Sequence, residues 1–125
     1  MQKRDTATRA FIKYARLGLD KKSMSALSAA HIIRGCSSSD AQAVRLLCVY
    51  DTLRILKAQS NGEAVEAVRE VYFSGGGRVP RKNDISYAVI RFALSHNMDV
   101  RTVWRRINTA KKLYEAILEE QMKCL

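Results

Sequence analysis

Apolar residues recur along this chain at steps of three and four, and β-branched alternation is scarce, so the pattern predicts helices throughout. The first runs from about Thr6 to Leu17, with Ala7, Ala10, Phe11, Tyr14 and Leu17 on one stripe and Gly18 at its end. A second is expected near Asp20 to Ile33, carrying Met24, Leu27 and Ile32, with Asp20 as its cap and Gly35 as its stop. Cys36-Ser37-Ser38-Ser39 then leads into a third, about Asp40 to Gln59. Ser38 or Ser39 caps it, because a short hydroxyl accepts from the otherwise unpaired amides of a first helical turn. Val44, Leu47, Cys48, Leu53, Ile55 and Leu56 spread over much of its surface, as suits a central buried helix.

Ser60-Asn61-Gly62 breaks the chain before a fourth helix, about Glu63 to Phe73, striped by Ala64, Val65, Val68, Val71 and Tyr72. A glycine-rich, basic loop from Ser74 to Asn83 follows, holding the one proline, Pro80. Asp84 caps a fifth helix, Ile85 to His96, in which Val89, Ile90, Phe92, Ala93 and Leu94 are spaced for burial. Asn97-Met98-Asp99 is a tight break: Asn tolerates the left-handed backbone of a short turn, and the Asp99 carboxylate suits the start of the next helix. That sixth helix begins at Val100 and reaches about Met122, with Val103, Ile107, Ala110, Tyr114 and Ile117 inside. The fold class expected is all-α, a helical bundle with a C-terminal helix-turn-helix. Residues 1–59 form an N-terminal helical region and 60–125 a C-terminal one, as two parts or as one continuous domain.

Charge changes this picture from fold to partner. The chain has 22 Lys and Arg against 12 Asp and Glu, a net +10. It is unevenly spread: residues 1–34 hold eight bases and two acids, and residues 78–112 hold nine bases and two acids. The stretch between them is nearly neutral, and the last residues are acidic. A local excess of +7 within 35 residues is a strong field for polyanions. Acidic lipid is the weaker match, since no basic amphipathic helix with a bulky exposed apolar face is evident. No run approaches the roughly 20 apolar residues of a membrane span, and the N-terminus lacks the apolar stretch of a secretory signal. A cytoplasmic protein is expected.

Candidate chemistry is thin. Cys36, Cys48 and Cys124 are widely spaced and odd in number, which fits neither a disulfide framework nor zinc. Three glycines, Gly75 to Gly77, precede the basic Arg78, Arg81 and Lys82, but the Gly-Lys-Ser/Thr ending of a phosphate-binding loop is missing. His31 and His96 are alone in sequence. Glu63, Glu66 and Glu70 read as a solvated face partnered by Arg69. Neither an active site, a metal nor a cofactor is expected.

The strongest signal is the terminal helix pair. Opposite the apolar stripe of the sixth helix lie Arg101, Arg105, Asn108 and Lys112, with Thr102 in its first turn. A helix, a three-residue turn and a second helix with a basic, amide-bearing outer face match a helix-turn-helix. Guanidinium forks pair with guanine edges, an Asn amide pairs with adenine, and the major groove admits one α-helix.

The run Asp99-Val100-Arg101-Thr102-Val103-Trp104-Arg105-Arg106-Ile107-Asn108-Thr109-Ala110-Lys111-Lys112-Leu113 resembles the recognition helix of sigma-factor region four. The wider arrangement is similar to small phage and prophage late-gene regulators of the RinA and ArpU type. The likeness is motif-deep over residues 84–118 and architectural before that. Asn97 stands where that motif usually has Gly, and His96 where it usually has an apolar residue.

The resemblance implies a sequence-specific regulator of transcription that binds double-stranded DNA, of phage or mobile-element origin. Arg101, Arg105, Asn108 and Trp104 are then the expected base readers. Arg78, Arg81, Lys82, Thr102, Arg106, Lys111 and Lys112 are the expected phosphate contacts. Trp104 has two readings, contact with a thymine methyl or sugar and packing against the fifth helix or a partner. A homodimer would place two such helices on successive turns of DNA. The alternative is a protein–protein module that binds RNA polymerase or another host protein, such as a nuclease it inhibits.

Overall fold

The computed structural model describes residues 5–74, 81 and 83–123. They are all-helical, with six α-helices and no strand among them. These are α1 (Thr6–Arg16), α2 (Ala26–Cys36), α3 (Asp40–Ala58), α4 (Gly62–Val68), α5 (Asp84–Ser95) and α6 (Val100–Lys123).

Each start has a local cause. The Asp5 carboxylate accepts from Thr8 N at 2.7 Å at the head of α1. Ser39 accepts from Gln42 N at 3.1 Å at the head of α3. Asp84 is the first residue of α5 rather than its cap; Asn83 precedes it with φ 76°, and Asp84 Oδ2 accepts from Arg81 N at 2.7 Å. Between α5 and α6, Asn97 takes the left-handed conformation at φ 52° and Asp99 Oδ1 accepts from Arg101 N at 3.0 Å. The tight turn foreseen there is present.

The second helix begins later than its sequence suggests. Gly18, with φ 71°, turns the chain into a single 3-10 turn, Leu19–Lys21, which holds Asp20 and buries Leu19. The cap of α2 is Ser25, locked in a reciprocal capping box with Ser28. From that start Ala29 and Ile33, one turn apart, face inward, while Leu27 is 95% exposed. Gly35 does not stop the helix, which runs on to Cys36.

The fourth helix also departs from expectation. Regular α-structure ends at Val68, and Arg69–Phe73 continues as a wider π-type turn. Val71, Tyr72 and Phe73 are all buried there, because this turn is packed between α1 on one side and α5 on the other.

One apolar cluster joins the two sequence regions. Phe11 meets Tyr72 and Tyr114 with ring centroids 5.6 and 5.8 Å apart. Leu46, Val49 and Leu56 of α3 share that cluster with Val89 and Phe92 of α5 and with Ile107 of α6. α6 is the central element: α3 lies along it, and α1, α4 and α5 pack on it too. α3 is less enclosed than its sequence suggested, since Val44, Leu47, Leu53 and Ile55 are only partly covered. No helix among the described residues is long and apolar enough to cross a membrane.

Candidate nucleic-acid interface

α6 is oriented by its apolar stripe. Val103, Ile107, Ala110 and Tyr114 are fully buried, and their steps of four, three and four residues keep them on one side. The opposite side must face outward. Arg101, Arg105, Asn108 and Lys112 repeat the same steps half a turn away, and all four are exposed. They span about 16 Å of helix, somewhat more than the roughly 12 Å width of a DNA major groove. Beyond Lys112 the same face turns acidic, with Glu115 and Glu119, and Lys123 sits 3.9 Å from Glu119. The basic face is therefore confined to the first three turns of the helix.

The other expected contacts divide. Thr102 is half-buried in the first turn. Arg81 is exposed at the start of α5, a 12-residue helix away from the turn, or about 18 Å. Arg78 and Lys82 lie outside the described residues.

Arg106 and Lys111 are not on the outer face. At about 100° per residue each is a quarter-turn or more from its centre, and each is drawn to an acid of another helix or its cap. Arg106, with 25% of its side chain exposed, lies 3.4 Å from Glu63 of α4. Lys111, with 15% exposed, lies 3.0 Å from Asp5, the cap of α1. Burial alone would weaken the charge on Lys111, but Tyr72 and Asp5 outweigh it and hold its pKa above the ordinary value. On Asp5, burial is likewise outweighed, by the hydrogen bond from Thr8 and by Lys111, and its pKa falls. Both bases are thus paired with acids of the same fold rather than presented on the outer face. Trp104 shares the Lys111 flank, half-buried against the core, with Lys111 Nζ 5.9 Å from its ring centroid. Of its two readings, this position supports packing.

His96 ends α5 stacked on Phe92, with centroids 4.0 Å apart, and its Nε2 is 3.1 Å from Glu66. It ties the turn to α4. No group of three or more metal-ligating side chains converges among the described residues.

Two features were not read from the sequence. Tyr87, Ile90 and Leu94 form an exposed apolar stripe on α5, at 56%, 43% and 77% exposure. Arg9, Lys13 and Arg45 gather around a cleft of about 380 Å³ between α1 and α3. The only sequence signal for the cleft was the basic repeat of α1.

Together these features define an all-helical protein whose best-exposed chemistry is a short, basic, amide-bearing helix face. Comparison of the chain with protein-family models, with curated proteins and with solved structures finds no match.

Proposed function

We propose that this protein is a sequence-specific regulator of transcription that binds double-stranded DNA, with α5, the Asn97–Asp99 turn and α6 acting as a helix-turn-helix. The observation that carries this reading is the outward face Arg101–Arg105–Asn108–Lys112, held in place by a fully buried stripe directly behind it. Arg101 and Arg105 offer guanidinium forks to base edges and Asn108 offers an amide, while Lys112 and Thr102 reach phosphate. The likeness of residues 99–113 to a sigma-factor recognition helix supports a phage or mobile-element regulator. A cytoplasmic site of action follows from that role.

The test is binding to random duplex and to genomic fragments from its source across a salt series. A fragment bound about a thousandfold tighter than random duplex, with a steep salt slope, supports the reading. Equal weak binding to every sequence overturns it.

One observation favours a second reading. The exposed stripe Tyr87, Ile90 and Leu94 lies on α5, which packs against α6, and is the apolar surface a protein partner would cover. RNA polymerase, another host protein, or a second copy in a homodimer would each meet it there. Recovery of one host protein without duplex binding supports that reading over the first.

A further inference from the structure

Two bases of the N-terminal block, Arg9 and Lys13, have no part in the face described above, yet they are placed together with a third from α3. Arg9 and Lys13 sit one turn apart on α1, and Arg45 of α3 faces them across the cleft. No acid lines that cleft, and among the described residues none of the three bases has an ion-pair partner. Like charges four residues apart destabilise a helix, so α1 keeps this pair at a cost to its own stability. Arg106 and Lys111 show that other bases of the chain are matched to acids.

The remaining polar groups of the cleft are neutral donors. Thr6 contributes a hydroxyl. Gln42 spends its carbonyl oxygen on Ser38 N, at 2.8 Å, so its amide NH₂ is the end left to donate. Three cations, a hydroxyl and an amide around one hollow are the donor set that holds phosphate oxygens. The position matters as well. Arg9 is one turn along α1 from Asp5, which is fastened to Lys111 of α6. One end of the cleft therefore lies about a helical turn from the point where α1 meets the Lys111 flank of α6.

We propose that this cleft is a second phosphate site, which seats the sugar–phosphate backbone of the duplex that α6 reads. The inference rests on the DNA-binding reading for its ligand, though not for its chemistry.

The test neutralises the cleft by Arg9→Gln, Lys13→Gln and Arg45→Gln together. A charge-matched control neutralises the exposed Lys21, Lys22 and Lys57 instead. Binding to random and specific duplex is followed by fluorescence anisotropy across a salt series, with circular dichroism to check the fold.

In the cleft variant, the slope of log K against log salt should flatten by about two to three units, at roughly 0.9 per phosphate contact. Affinity should fall alike for all sequences, leaving the specific-to-random ratio unchanged. The control should shift the slope by less than about half a unit. Equal slopes in cleft variant and control overturn the proposal.

If the unaltered protein binds no duplex at all, the DNA-binding reading fails first, and the duplex assignment falls with it. A pyrophosphate titration by thermal shift then decides what is left of the cleft. Stabilisation lost in the cleft variant keeps a phosphate site for a small ligand, and no stabilisation of either protein removes the site altogether.

Discussion

α6 carries bases of two kinds, and the difference lies in where they stand around the helix. Arg101, Arg105 and Lys112 project from the outer face into solvent. Arg106 and Lys111, one residue removed from that row, are turned onto the flanks and fastened to Glu63 and Asp5. In sequence these residues form one basic run. In the fold they divide into charge available to a partner and charge used to hold α4 and α1 against α6. Segment charge therefore overstates the field a ligand meets, and the buried stripe decides which bases count.

The sharpest way to break this division is to remove its platform. Ile107 is fully buried at the centre of the stripe, and Ile107→Ala should destabilise the fold by about 2–5 kcal/mol in denaturant unfolding, as loss of packed methylenes leaves a cavity. Asn108→Ala, the next residue but exposed, should change stability by less than about 0.5 kcal/mol. Similar losses for both would show that α6 is not seated on this face.

The outer row is then tested by binding. Arg105→Ala should cost roughly 1–3 kcal/mol in affinity for a specific site and relax discrimination at one base pair, with the melting midpoint unchanged. If specific and random duplex lose affinity equally, Arg105 does not read bases.

The flank predicts the reverse pattern. Lys111→Ala should lower stability by about 1 kcal/mol, through the lost ion pair and the lost stem packing beside Trp104, and leave the salt slope of DNA binding unaltered. A salt slope flattened by about one unit, with no loss of stability, would move Lys111 to the phosphate contacts and erase the distinction.

Parts of this arrangement were legible in the chain because the cause was local. The Ser39 cap, the left-handed Asn97, the Asp99 cap and the buried stripe of α6 each follow from residues within a turn or two of one another. The start of α2 was misplaced at Asp20: after Gly18 that residue is taken into a 3-10 turn that buries Leu19, and Ser25 caps the helix instead. In α5, apolar residues run almost without interruption from Ala88 to Leu94. The pattern alone could not say that Ala88, Val89, Phe92 and Ala93 face inward while Ile90 and Leu94 face out. The fate of Lys111 was beyond local reading altogether, since its partner Asp5 is 106 residues away.

The smallest effect concerns the inner stripe itself, where Tyr114 is an imperfect member. Its ring is fully buried against Phe11, but its hydroxyl has no hydrogen-bond partner among the described residues. A buried donor left unpaired carries a desolvation penalty, so Tyr114→Phe should leave stability at neutral pH unchanged or raise it by up to about 1 kcal/mol. Burial also pushes the Tyr114 phenol up to about 12, while burial and the nearby Asp51 carboxylate push the Cys48 thiol up to about 11. The unfolded chain ionises a phenol near 10. Between there and about 12 the folded state keeps a proton that the unfolded state has released, so stability falls as pH rises through this window. Thermal unfolding from pH 8.5 to 11.5 should show that decline in the unaltered protein and a shallower one in Tyr114→Phe, with Cys48 among the groups that keep it from vanishing. If the two profiles run parallel, the phenol already meets solvent, and α6 is packed less tightly on its inner side than its outer face requires.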